Sequence, residues 1–168
     1  MSNSTIKKKI CLLGYHAVGK TSLVRRYVSS IFDENYLATL GVKVDSKTVS
    51  VGGQELLMLI WDIAGGENYF TVPMSYVKGA AGYLLVLDST RAQTVERGMD
   101  IVRQINEELG ALPAVVLLNK IDLVDQFQLT DDILKPVFAM NCPVIRSSAK
   151  TGEGVEESFL ELAKHLLD

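Results

Sequence analysis

Residues 14–21 read GYHAVGKT, two glycines five positions apart followed by a lysine and a hydroxyl. The spacing G-x-x-x-x-G-K-[ST] has a physical logic. Glycines let the chain wrap a phosphate so that successive N–H groups point inward, and a helix starting at the lysine adds the positive end of its dipole. Lys20 can reach β- and γ-phosphates, and the Thr21 hydroxyl can ligate Mg²⁺. Gly14, His16, Ala17, Val18, Gly19, Lys20, Thr21 and Ser22 are therefore candidate nucleotide-binding residues. On average composition the bare pattern arises by accident in roughly one chain of this size in 200. What decides is context: an apolar run ends at Gly14, and a helical period begins after the loop.

Three further clusters could complete such a site. In WDIAGGEN (61–68), Asp62 can hold a metal-bound water and Gly65 can offer its N–H to a terminal phosphate. DxxG alone is common, and an ordinary strand-ending turn would explain it. In NKID (119–122), Asp122 can accept two hydrogen bonds from the N1–H and exocyclic amine of guanine. Adenine offers neither, so a wrong base would leave a carboxylate unpaired. In SSAK (147–150), a backbone N–H at Ala149 can meet the guanine oxygen, with Ser148 and Lys150 beside it.

These clusters must be carried on strand ends. KKICLLG (8–14), QELLMLIWD (54–62), GYLLVLDST (82–90), AVVLLNK (114–120) and PVIRSS (143–148) read as buried strands that turn polar. VKVDSKTVSV (42–51) mixes charges with β-branched residues, as an edge strand does, and Gly52-Gly53 joins it to 54–62 as an antiparallel hairpin. Between them fall helical stripes: Leu23, Val24, Tyr27 and Val28; Val102, Ile105 and Leu109; Val155, Phe159, Leu162 and Leu166. These stripes read as plain core. DDILKPVFAM (131–140) is a short helix in which Pro136 removes a hydrogen bond, so a late start or a kink is expected. The alternation implies an α/β fold: a six-stranded, mostly parallel sheet with one antiparallel edge strand and helices on both faces. In such sheets ligands bind beyond the carboxyl ends of the strands.

Composition narrows the function. With 168 residues, 48% of them apolar and 22% charged, the chain suits one globular domain. A net charge of −3 and a pI near 5.4 argue against a nucleic-acid binder. The run Lys7-Lys8-Lys9 is the one cationic cluster and reads as a solvated strand entrance. Cys11 and Cys142 read as unpaired cytosolic thiols. There is no myristoylation glycine after Met1, no prenylation cysteine in AKHLLD at the end, and no apolar run of membrane length. A cytoplasmic monomer with no intrinsic membrane anchor is expected.

With these motifs in place, the chain resembles the Ras superfamily of small GTPases, with Rab-like features. The resemblance runs over residues 6–167 and includes YLATLGV, SYVKGAAGYLLVLD (75–88) and EESFLELA (156–163). It implies a P-loop NTPase of the Ras-like G-domain type, a single G domain over 1–168, binding GTP or GDP with Mg²⁺. It implies that Thr39 ligates Mg²⁺ and the γ-phosphate alongside Thr21 and the water-holding Asp62. Phe32 would stand beside the guanine and Tyr36 would close over the phosphates. Residues 32–42 and 63–76 would be the switch segments. The partners implied are an effector, an exchange factor and a GTPase-activating protein.

Two positions depart from the family. The glutamine that orients the attacking water is replaced by Gly66, which has no side chain to position anything. His16 stands where the loop usually carries glycine or a small residue, and it crowds the approach to the γ-phosphate. No arginine occurs in 31–42 or 63–76, and nothing in the sequence places Arg25, Arg26 or Arg91 on a phosphate. Lys20, Thr39, Gly65 and Gly66 are the candidate catalytic positions. The expectation is a GTP-binding switch with slow intrinsic hydrolysis, able to receive a missing group from a partner; Asn68, Glu67 or His16 are candidate stand-ins. The competing reading is a scaffold that holds GTP and scarcely turns it over. A P-loop kinase or ATPase is disfavoured because NKID and SSAK serve no purpose in an adenine site. The altered catalytic position and the missing lipidation cysteine fit a prokaryotic member of the superfamily.

Overall fold

The computed structural model describes residues 4–29, 41–64 and 73–168. Its elements run β1 (Ile6–Leu13), α1 (Lys20–Ser29), β2 (Val42–Val51), β3 (Gln54–Ile63), α2 (Met74–Val77), β4 (Gly82–Asp88), α3 (Gln93–Leu109), β5 (Ala114–Asn119), α4 (Asp131–Phe138), β6 (Val144–Arg146) and α5 (Val155–Leu166). The six strands form one sheet in the order β2-β3-β1-β4-β5-β6. β2 pairs antiparallel with β3, Val51 opposite Gln54, and every other pairing is parallel. Gly52 and Gly53 both hold positive φ, 57° and 83°. That is the two-residue turn whose twist matches the flanking strands, and residues with a Cβ resist it.

Alternation along the strands splits the core into two layers. Ile10, Leu12, Leu84, Val86, Val115 and Leu117 face α1 and α5, packing against Leu23, Tyr27, Phe159 and Leu162. Cys11, Leu13, Tyr83, Leu85 and Val116 face α3 and α4, packing against Val102, Ile105, Leu134 and Val137. β4, one of the two central strands, is buried along its whole length, as strands covered on both faces are. The Tyr27 and Phe159 rings stack at 3.9 Å, joining α1 to α5. Burial holds the Cys11 thiol protonated, its pKa pushed up to about 12, and both cysteines are free.

Some expected boundaries move. β5 stops at Asn119 because Lys120 takes φ 67°, which ends an extended strand. β6 is shorter than the expected 143–148, since Ser147 and Ser148 turn into the following loop, Ser148 donating its N–H to Glu153. Pro136 does not delay α4. Thr130 caps the helix by accepting from Ile133 N, and the proline sits on an exposed face one turn in, so the carbonyl it leaves unserved belongs to exposed Asp132. Lys9 is not simply solvated: its ammonium lies 3.7 Å from the Trp61 ring centre and donates to the Lys78 carbonyl at 2.8 Å.

Candidate functional site

β1, β3, β4, β5 and β6 all run the same way, so Gly14, Asp62, Asp88, Asn119 and Ser147 emerge at one edge of the sheet. The candidate motifs therefore converge. Between β1 and α1 the loop 14–19 leads directly into Lys20, the first residue of the helix, and Leu23 N bonds to Gly19 O at 2.9 Å to start the helical ladder. The N–H groups of the first turn precede that ladder and face the loop, where the dipole favours an anion.

Lys20 is buried, 5% exposed, and its ammonium donates to the carbonyls of Gly14 at 3.0 Å and Tyr15 at 3.2 Å. Burial pulls its pKa down to about 8; the nearby Asp62 carboxylate works against that, and Arg91 adds to it. An anion brought to the loop would restore the full charge.

Asp62, at the end of β3, is fully buried, and its Oδ2 accepts from Thr21 Oγ1 at 2.5 Å. A hydroxyl and a carboxylate oxygen so juxtaposed suit a hard cation. Among the described residues no group of three His, Cys, Asp or Glu side chains gathers into an all-protein cage. A donor set this sparse fits Mg²⁺, which keeps waters and phosphate oxygens in its shell.

The base-side motifs interlock with the loop. Asn119 Nδ2 donates to Val18 O at 2.9 Å and its Oδ1 accepts from Ser147 Oγ at 3.2 Å. Lys120 Nζ donates to Ala17 O at 2.8 Å. Ser148 Oγ donates to Asp122 Oδ1 at 2.7 Å and accepts from Thr151 N at 3.1 Å, which fixes the orientation of the Asp122 carboxylate. Ala149 is buried next to it and Lys150 is exposed. Thus Gly14, His16, Ala17, Val18, Gly19, Lys20, Thr21, Ser22, Asp62, Asn119, Lys120, Asp122, Ser148, Ala149 and Lys150 lie around one edge. Phe32, Tyr36, Thr39, Gly65, Gly66, Glu67 and Asn68 fall outside the described residues.

Sequence reasoning missed Asp88 and what it holds. At the end of β4, its Oδ2 accepts from Arg91 Nε at 2.9 Å and from Lys120 Nζ at 2.8 Å, while Oδ1 accepts from Thr90 N at 2.8 Å and Thr90 Oγ1 at 2.6 Å. Burial alone would raise the Asp88 carboxyl, but the hydrogen bonds from Lys120, Thr90 and Arg91 outweigh it and hold the pKa below its ordinary value. Arg91 Nη2 reaches on to the His16 carbonyl at 2.6 Å. A signal existed in the sequence: a carboxylate at the tip of a fully apolar strand needs cations, and Arg91 is three residues on. Arg26 is elsewhere, donating to Thr151 O at 3.1 Å.

The Ras family model matches residues 9–168. The chain is 34% identical to Ras-related protein Rab-21 of Geodia cydonium over 167 residues, 98% of this chain and 73% of that protein. It is 36% identical to Ras-related protein RabJ of Dictyostelium discoideum over 97% of this chain and 64% of that protein. It is 32% identical to Ras-related protein SEC4 of Saccharomyces cerevisiae over 93% of this chain and 73% of that protein. Among the described residues no helix is long and apolar enough to cross a membrane.

Proposed function

The chain belongs to the Ras family of GTP-binding small GTPases, and from that premise we propose that it is a guanine-nucleotide switch whose own hydrolysis of GTP is slow. Residues 6–167 act as one nucleotide-binding unit. Asp122, oriented by Ser148, reads the N1–H and amine of guanine, and the Ala149 N–H meets the guanine oxygen. The loop N–H groups and the first turn of α1 cradle the phosphates, and the Lys20 ammonium faces the β- and γ-phosphates. Thr21, Asp62 through a water, and Thr39 hold Mg²⁺, which when bound neutralises charge on the phosphate oxygens. Phe32 and Tyr36 flank the base and the phosphates, and Gly65 offers its N–H to the γ-phosphate. Exchange factor, activating protein and effector are the partners of such a cycle.

The observation that carries the slow hydrolysis is Gly66. Phosphoryl transfer asks the protein to position a water and to stabilise charge on the γ-phosphate. In this reading Lys20, the loop N–H groups and Mg²⁺ supply the charge stabilisation. Gly66 has no side chain to orient the water, and His16, bulkier than the residue usual at its position, obstructs the approach to the γ-phosphate. Unassisted Ras-type proteins set the reference, and turnover here falls below the order of 10⁻³ s⁻¹. Single-turnover phosphate release from GTP-loaded protein tests this. Gly66→Gln accelerates release several-fold; tenfold corresponds to about 1.4 kcal/mol, which one well-placed hydrogen bond can supply. A native protein already fast without a partner overturns the reading. Release too slow to detect, even with Gly66→Gln, favours the GTP-holding scaffold.

A further inference from the structure

A loop that turns its N–H groups toward an anion turns the carbonyls of the same planar peptides outward. Each outward carbonyl then needs a donor. Here the carbonyls of Gly14 and Tyr15 take the Lys20 ammonium, that of Ala17 takes Lys120, and that of Val18 takes Asn119. The His16 carbonyl takes Arg91 Nη2 at 2.6 Å. The peptide that carries this carbonyl also carries the Ala17 N–H. Ala17 itself holds φ 58°, a conformation strained for any residue with a Cβ, and it persists because its surroundings over-determine it. The peptides on either side of Ala17 are gripped by two cations, Arg91 and Lys120, and both cations stand on one buried oxygen, Asp88 Oδ2.

We propose that Arg91 is a positioning residue of the nucleotide site: braced on Asp88, it pins the His16 carbonyl outward and so aims the Ala17 N–H at the phosphates. The proposal rests on the loop being a GTP and GDP site and adds a residue outside its motifs. The work depends on a fork. Nε meets the carboxylate while Nη2 meets the carbonyl, two donors at fixed spacing on one rigid plane. A lysine carries its charge on a single nitrogen that would have to sit between the two acceptors, whereas the fork meets each acceptor with its own nitrogen.

The test compares GDP with GMP on the full-length chain. The loop N–H groups serve the phosphates, so their misalignment weakens GDP far more than GMP, whereas general damage weakens both alike. Arg91 is about a third exposed, its side chain retaining 34% of its accessible surface, and when it is replaced Lys120 still serves Asp88 Oδ2. In Arg91→Lys and Arg91→Gln, GDP affinity falls by tenfold or more and GMP affinity by less than threefold, and cooperative thermal unfolding of the nucleotide-free variants shows that both are folded. Full recovery of GDP affinity by Arg91→Lys shows that charge alone suffices and overturns the proposal. Equal losses for GDP and GMP, or no loss of GDP affinity, overturn it as well. If the native chain itself binds neither GDP nor GTP, the failure belongs to the reading of the loop as a guanine-nucleotide site.

Discussion

Replacing Gly19 by alanine strikes the joint between the phosphate loop and the base-side strand. Gly19 holds φ 104°. A Cβ built there stands 2.4 Å from Asn119 Nδ2, far inside contact. The amide cannot easily retreat: Asn119 is 1% exposed, donates to Val18 O at 2.9 Å and accepts from Ser147 Oγ at 3.2 Å. Two costs follow. Forcing a residue with a Cβ into that backbone region costs about 1–3 kcal/mol. Displacing the amide leaves the buried Val18 carbonyl without its donor, about 1–3 kcal/mol more. Gly19→Ala therefore destabilises the protein by roughly 2–6 kcal/mol, the sum of those two ranges. Urea denaturation measures the loss, and GDP dissociation speeds up in parallel. A double-variant cycle separates the two parts. In Asn119→Ala the amide is already gone, so adding Gly19→Ala costs only the backbone strain, and the two single losses exceed the double loss by about 1–3 kcal/mol. A Gly19→Ala protein within about 0.5 kcal/mol of native, or strictly additive losses, would refute the close approach.

Other positions give sharp expectations. Asp122→Asn shifts preference from GTP toward xanthosine triphosphate, because the amide offers a donor to the new carbonyl; nucleotide competition reads it, and unchanged preference would remove Asp122 from the base contact. Thr21→Ala makes GDP dissociation indifferent to Mg²⁺ chelation, while Thr21→Ser keeps the response. If chelation leaves the native dissociation rate unchanged, the proposed Mg²⁺ ligands are wrong. Asp88 has its folded pKa depressed, so the folded state binds fewer protons there than the unfolded one. Its stabilisation is complete above the ordinary aspartate range and is lost as pH falls through the folded value. Asp88→Asn accordingly destabilises the protein near neutrality and flattens the acid limb of its stability curve; an unchanged acid limb would show that the clamp does not titrate this way.

Much of this architecture was written in local pattern. The run GYLLVLD is apolar at every position up to its acid, which only a strand covered on both faces can use, and β4 is that strand. Gly52-Gly53 announced the hairpin, and the stripe Val155, Phe159, Leu162 and Leu166 announced the buried face of α5. The loop and its lysine were legible because phosphate binding constrains residue types at fixed spacing. The Asp88 clamp was not, because its partners come from separate elements. β4 and β5 run side by side with Asp88 paired to Asn119, which delivers Lys120 to the same carboxylate, and no spacing rule records that. The carbonyl contacts escaped for a second reason: they depend on the course of the loop backbone, and Ala17, Lys120 and Asn141 take positive φ without being glycine. Pro136 misled because propensity says nothing of which carbonyl loses its partner.

The most direct test of the central claim is a side-by-side titration of the native protein with GTP, GDP and ATP in Mg²⁺. A site that reads guanine through Asp122 rejects the base lacking the matching donors by a factor on the order of 10⁴ or more. GTP and GDP then bind tightly, and ATP does not compete at comparable concentration. Comparable affinities for ATP and GTP would contradict the assignment of this edge of the sheet as a guanine-nucleotide site.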